Sequence, residues 1–333
     1  MNREGQTRIY AITPNPALDL SGHVNRIVAD EKNYVERARL DPGGNAINAA
    51  RIAKRLGGRP MLLGFLGGGT GSQLQALLKS EGLEEQFTKI RGTTRTNVTV
   101  TNDHDHKQTR LTFPGPHISR QEIRLLLSAI SKFRAPGIVL IGGSLPAGCS
   151  PRFYIDLIDS VSKQGLGVVV DVPAPALKAI IRSPSARILL IKPNQTELET
   201  LIGKNLRSIS AIAAAAHQLS RRAAIVCVSL ADRGALFCVN QETWMARAPR
   251  IKARGTVGAG DSMVGAIAAR LASWKLARPE DIEQATPKQL SDVFRWGIAA
   301  GAATAATEGT SLGHYALIRK LHSKVAIHKI KTN

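Results

Sequence analysis

Three cysteines in 333 residues, Cys149, Cys227 and Cys238, are too few and too far apart for a disulfide framework. No C-x-x-C pair and no His/Cys cluster at zinc-ligand spacing accompanies them, so a structural metal site is not indicated either. No apolar run approaches the ~18 residues that a membrane span requires. The polar start, MNREGQTR, lacks a signal-peptide core. Together these absences point to a cytoplasmic protein in a reducing compartment, with no membrane partner. Aromatic residues are sparse at 4%, which leaves few stacking platforms for single-stranded nucleic acid. Acidic residues are the other deficit: 25 Asp and Glu against 45 Lys and Arg give a formal net charge of +20. Such a field attracts phosphorylated metabolites, nucleotides and nucleic acid alike. The basic residues are spread along the chain, however, and the one local cluster, 319–331, reads as surface. No helix-turn-helix or RNA-binding signature appears, so nucleic acid is not an expected partner.

What is present is a globular composition, 43% hydrophobic and 21% charged, enough for a large buried core. Short runs rich in Val, Ile and Leu at 9–13, 61–65, 137–141, 166–170, 187–191 and 224–228 read as buried parallel strands. Amphipathic or Ala-rich stretches at 46–56, 121–133, 152–163 and 208–221 are long enough for crossover helices. The alternation predicts a doubly wound α/β layer with a mainly parallel central sheet, in one domain over 1–333. Two segments break the rhythm, 18–41 and 93–113. The second alternates Val98 and Val100, then Thr109, Leu111 and Phe113, around the polar turn 102–107, which is a hairpin pattern. Arms this polar do not suit a central strand pair, so the hairpin is expected to project from the sheet and cover a site or pair with a second copy in a homodimer.

The strongest chemical signal is Thr256-Val257-Gly258-Ala259-Gly260-Asp261-Ser262, leading into an Ala-rich helix. A glycine loop entering a helix presents unpaired N–H groups and the positive end of the helix dipole, which suit a phosphate or a developing anion. A Lys-Ser/Thr of the Walker type is absent, so this is not a P-loop. On its own, Asp261 fits a helix N-cap at least as well as a catalytic base. Two further elements stand beside it. Pro42-Gly43-Gly44-Asn45-Ala46-Ile47-Asn48 places paired glycines at a helix start, and Lys192-Pro193-Asn194-Gln195-Thr196-Glu197 follows a strand. The latter, taken alone, reads as a helix cap with a first-turn acid.

Taken jointly, these elements make the chain resemble the ribokinase-like (PfkB) carbohydrate kinases from residue 9 to about 311. Gly67-Gly68-Gly69-Thr70-Gly71 resembles that family's glycine loop near the sugar, and Gly143-Ser144-Leu145-Pro146 also matches. The Asn-Pro-Ala-Leu-Asp run 15–19 and the run 257–265 are most similar to the phosphofructokinase and tagatose-6-phosphate kinase group.

The resemblance implies ATP-dependent phosphorylation of a sugar phosphate, first fructose 6-phosphate, with Asp261 as base and the N–H groups of Gly258, Ala259 and Gly260 as anion hole. It assigns the sugar hydroxyls to Asp19, Gly43, Gly44 and Asn48, and the existing phosphate to Lys32, Arg95 and Ser144, joined by Arg110. ATP falls to Lys192, Asn194, Ser229, Leu230, Ala231, Gly234, Ile298 and Ala302. Asn194 and Glu197 would orient waters of Mg²⁺, and Gly255, Val257, Thr304, Thr307, Gly309 and Ser311 would hold K⁺. The chain departs from the pattern at Ala231, where a glycine is usual, at Tyr34, where a basic residue is expected, at Asn45, and after Asp171, where Val172 replaces a small hydroxyl residue. A nucleoside or unphosphorylated-sugar kinase, and a non-catalytic nucleic-acid-binding relative, are the competing readings.

Overall fold

The computed structural model describes residues 7–184 and 188–331. The first six residues of the polar start, and Arg187 at the head of the fifth expected strand, lie outside these. All six expected strands form, as Arg8–Thr13, Pro60–Leu66, Gly137–Gly142, Gly167–Asp171, Ile188–Ile191 and Ala223–Ser229. They pair in parallel, in the order Pro60–Leu66, Arg8–Thr13, Gly137–Gly142, Gly167–Asp171, Ile188–Ile191, Ala223–Ser229. Their continuous apolar character follows from burial on both faces: Val168, Val169, Val170, Leu189 and Leu190 have no exposed surface.

Helices cover both faces. Arg120–Ile130, Arg152–Ser162, Ala174–Arg182 and Ile209–Leu219 pack over one hydrophobic cluster, while Asn45–Arg55, Ala259–Ser273 and Pro287–Ala305 pack over the other. The four expected crossover helices are among them, and the architecture is the doubly wound sheet read from the sequence.

Three antiparallel strands extend the Ala223–Ser229 edge: Ala235–Val239, Glu242–Arg247 and Ala326–Ile330. The basic C-terminal cluster is therefore more than a solvated surface. It forms the helix Tyr315–His322 and the outermost strand, with Ile318 and Leu321 in the core and Lys329 paired to Glu242 over the Trp244 ring. The basic residues face outward; the interleaved apolar ones carry the packing.

The two irregular segments join in one small sheet, ordered Glu36–Gly43, Ala17–Val24, Arg95–Asn102, Gln108–Leu111. The expected hairpin forms with Val98 opposite Leu111 and Val100 opposite Thr109, but Phe113 falls beyond its last strand. Its first arm runs parallel to Ala17–Val24, which ties the two segments together. The Gly67–Gly71 run is not a loop: Gly68–Ser80 is helical from its first residue, with Gly67 as its N-cap.

In the main sheet the chain moves one way from the first strand to Pro60–Leu66 and the other way from Gly137–Gly142 onward. A crevice opens at such a reversal, outside the carboxyl ends of the strands. Asn15, Ser144, Asp171, Lys192 and Ser229 all follow or end strands on that side.

Candidate active site

The catalytic-helix candidate, Ala259–Ser273, starts at Gly258, whose φ of 73° lies in the left-handed region. A Cβ there would sit 2.8 Å from Leu312, so both the backbone and the space require glycine. Ser262 N donates to Gly258 O at 2.8 Å, while Ala259 N reaches only Thr256 O at 3.4 Å. The first turn thus opens toward the crevice with under-used N–H groups, the anion-binding end of a helix.

Close packing sets the position of Asp261. The helix Asn45–Arg55 presents Ala46, Ala49, Ala50 and Ala53, and the catalytic helix answers with Gly265, where a Cβ would meet Ala49 O at 2.1 Å. This contact lets Asn48 Nδ2 donate to Asp261 Oδ2 at 2.9 Å. Gly265→Ala is therefore expected to force the helices apart and lower kcat about tenfold or more, with the sugar KM less affected; steady-state kinetics on the variant checks this.

Burial, then the nearby Asp171 carboxylate, push the Asp261 pKa up to about 7, against the opposing influence of the Asn48 bond and Lys192. Lys192 itself is buried and pairs with Asp171 at 3.0 Å. Burial works against its charge, but the Asp171 pairing outweighs it and keeps the ammonium protonated. The Lys192 ammonium lies beside Gly260, 3.4 Å from where a Cβ would be. A buried carboxylate, a fixed cation and a helix N-terminus therefore converge at the Gly258–Asp261 turn. Asp171 was visible in the sequence only as a departure in the residue after it; its signal was a carboxylate ending an all-apolar strand at the crevice.

On the sugar side, Asp19 accepts from Asn97 Nδ2 at 2.9 Å and faces Gly43, where a Cβ would strike the carboxylate at 2.3 Å. Burial raises its pKa, with the Asn97 bond and Arg95 acting the other way. Gly44, at φ 127°, is the N-cap of the helix that carries Asn48, so Asp19, Gly43, Gly44 and Asn48 meet in one corner. Arg95 is no surface charge. It donates to Asn15 O and Phe113 O, each at 3.0 Å. Ser144 accepts from Asn15 Nδ2 at 3.2 Å, which makes the buried Asn15 the joint between the two expected phosphate ligands. Asn15 and Asn97 were not singled out from sequence, although Asn15 opens the Asn-Pro-Ala-Leu-Asp run.

Arg110, on the hairpin's second arm, reaches Thr256 Oγ1 at 3.4 Å, so the small sheet closes over the segment that leads into the anion hole. Lys32 is exposed on the 25–35 loop, with none of these residues among its described partners.

The nucleotide-side residues are partly redistributed. Asn194 is the exposed N-cap of Gln195–Ile202, and Glu197 is its capping-box partner: Glu197 N donates to Asn194 Oδ1 and Asn194 N to Glu197 Oε2, each at 2.8 Å. The two do not share a helical face, because Asn194 lies outside the helix. Burial raises the Glu197 pKa, and its second oxygen remains for a ligand. Ser229 and Leu230 lead into the turn Ala231–Arg233, where Ala231 adopts φ 54°, the glycine-like conformation with a Cβ added. Ala231→Gly is expected to relieve about 1 kcal/mol of backbone strain, seen as a higher denaturation midpoint. Gly234 is packed so tightly that a Cβ would lie 2.0 Å from Ala246 O. Ile298 is 2% exposed and belongs to the core; Ala302, at 8%, lies one turn further on the same helix.

Of the expected cation ligands, Thr304 bonds Ser262 and Gly313 N through its hydroxyl, and its carbonyl takes Thr307. The Ser311 carbonyl takes the Thr307 hydroxyl and its side chain takes Arg39. The carbonyls of Thr307 and Gly309 lie toward Gly255, 3.5 and 3.4 Å from where a Cβ on it would be.

The profile of the pfkB family carbohydrate kinases matches residues 14–315. The chain belongs to that family. It is a sugar kinase, transferring a phosphoryl group to a hydroxyl acceptor. It is 33% identical to the ATP-dependent 6-phosphofructokinase isozyme 2 of Escherichia coli K12 over 95% of this chain and 98% of that one. It is 30% identical to the 1-phosphofructokinase of Bacillus subtilis over 97% and 100%. The structure of phosphofructokinase-2 from Escherichia coli in complex with substrates and products superposes with a TM-score of 0.87 at 32% identity, covering 96% of this chain and 99% of that one. That protein has also been solved in complex with potassium and in a tetrameric inhibited form.

Proposed function

We propose that this PfkB kinase phosphorylates fructose 6-phosphate at its 1-hydroxyl with ATP as donor, and that Asp261 is the base. The observation that carries the chemistry is the convergence of Asp261, Lys192 and the open N-terminus of the catalytic helix. A carboxylate poised near 7 accepts the proton as the attacking oxygen bonds to phosphorus. The N–H groups of the Gly258–Gly260 turn and the Lys192 ammonium offset charge on the transferring group. Mg²⁺ fits the donor set because it prefers phosphate and water oxygens to an all-protein cage. Among the described residues no three His, Cys, Asp or Glu side chains form a metal cluster, while Glu197 offers one carboxylate oxygen. When bound, the ion would neutralise phosphate charge, and Glu197 and Asn194 would hold it through its waters. The small sheet excludes water from the transfer.

The acceptor's existing phosphate falls to Arg95 and Ser144. Arg95→Ala should raise the sugar-phosphate KM about tenfold or more, since a guanidinium–phosphate interaction is charge-assisted. Unchanged kinetics would instead favour an unphosphorylated sugar. Fructose 1-phosphate and tagatose 6-phosphate are the substitutes to test beside fructose 6-phosphate, with ADP release as the readout.

Potassium is expected at the Gly255, Thr307 and Gly309 carbonyls, and raising K⁺ but not Na⁺ should increase the unfolding temperature of the ligand-free protein. The exposed Ile27, Val28, Tyr34, Val35, Leu111 and Phe113 all belong to the small sheet and its loops, which favours a homodimer through that sheet. A monomeric mass in solution would count against it. Cytoplasmic residence agrees with the substrate class, and among the described residues no helix is long and apolar enough to cross a membrane.

A further inference from the structure

The strand Glu36–Gly43 ends in the sugar corner, yet its polar side chains reach the far side of the crevice. Asp41 is 3% exposed. Its Oδ2 accepts from Thr310 Oγ1 at 2.6 Å and its Oδ1 from Arg39 at 2.6 Å. Arg39 also donates to Ser311 Oγ at 2.7 Å. Arg51, buried and bidentate to Glu81 at 2.6 and 2.8 Å, stands 4.0 Å from the same carboxylate. Thr310 is buried too, 7% exposed, in the 307–311 loop whose carbonyls face Gly255 just before the anion hole. Asp41 is thus two residues from Gly43 on one side and, on the other, one hydrogen bond from the 307–311 loop that packs beside Gly255 ahead of the Gly258–Asp261 turn.

We infer that Asp41 is a positioning residue: a strut that transmits occupancy of the sugar corner to the 307–311 loop, so that sugar phosphate and nucleotide bind cooperatively. The inference rests on the sugar-phosphate reading above. Asp41 can do this because a buried carboxylate with two short hydrogen bonds has few alternative arrangements, so the strand and the loop move together. The Arg39 side chain is 52% exposed, so its link to Ser311 is the looser one, and Asp41–Thr310 is the anchor. Coupling between two sites is reciprocal and typically 5–150-fold in affinity.

The test is the affinity for fructose 6-phosphate, by calorimetry, with and without Mg²⁺ and a non-hydrolysable ATP analogue, in wild type, Asp41→Asn, Thr310→Val and Thr310→Ser. The wild type should bind the sugar at least about fivefold more tightly with nucleotide present. Asp41→Asn and Thr310→Val should bring that ratio within twofold of one, while Thr310→Ser, which keeps the hydroxyl, should retain it. Thr310→Val keeps the test decisive should Asp41→Asn fail to fold. A full ratio in Thr310→Val, or none in the wild type, overturns the strut. Absence of binding by wild type to fructose 6-phosphate, fructose 1-phosphate and tagatose 6-phosphate overturns the substrate reading and the strut with it.

Discussion

Asp261→Asn is expected to lower turnover about 10²–10⁴-fold, the range for loss of a positioned general base, while nucleotide and sugar affinities stay within a few-fold of wild type. The asparagine keeps the size and the contact with Asn48, so the loss is of proton acceptance rather than of packing. The pH profile adds a second signature. With the Asp261 pKa near 7, kcat/KM of the wild type should climb about tenfold per pH unit below 7 and level off above it. In the variant this limb should disappear.

Stability should move the opposite way. Because the folded-state pKa of Asp261 lies above its ordinary 3.8, the folded protein binds more protons than the unfolded chain between about 4 and 7. Stability from this group is therefore full below pH 4 and is lost as pH rises through 7. Asp261→Asn lacks that penalty and should unfold at a higher denaturant concentration than wild type at pH 8, with the difference shrinking toward pH 4. An activity-reducing variant that is also more stable is the mark of strain held at a functional site.

The Asp171–Lys192 pair should give the other large effect. Asp171→Ala strands a buried ammonium and is expected to cost about 3–5 kcal/mol of stability, the range for breaking a buried ion pair. Lys192→Met acts differently. It removes the cation beside the anion hole and leaves Asp171 unopposed near Asp261. Lys192 lowers the Asp261 pKa and Asp171 raises it, so the acid limb of kcat/KM should shift to higher pH in this variant. Denaturant melts and pH profiles of the two variants separate the structural role of the pair from its catalytic one.

These residues also show what the sequence could and could not reveal. The central sheet was legible because strands buried on both faces must be apolar throughout, as in Val168–Val169–Val170 and Leu189–Leu190. Among the antiparallel edge strands, Ala326–Ile330 escaped notice because its Ala-Ile-His-Lys-Ile run is neither continuously apolar nor alternating and lies at a largely exposed edge. Asp261, Gly43, Gly44 and Asn48 were singled out through the family resemblance, which the glycine runs at two helix starts carry. Asp171, Asn15 and Asn97 have no glycine beside them to carry such a signal. Each matters through a partner far away in sequence, Lys192, Ser144 and Asp19 respectively. Asn194 and Glu197 show the reverse: a sequence signal for a capping box was present, and the box is what forms.

The most direct test of the account is a single reaction: purified protein with ATP, Mg²⁺ and fructose 6-phosphate, followed by ³¹P NMR alongside the Asp261→Asn variant. The account predicts that a second sugar phosphomonoester resonance and ADP accumulate together in the wild type, and that both are nearly absent in the variant. Equal accumulation by the two proteins, or a wild type that leaves fructose 6-phosphate, fructose 1-phosphate and tagatose 6-phosphate all unconverted, would contradict it.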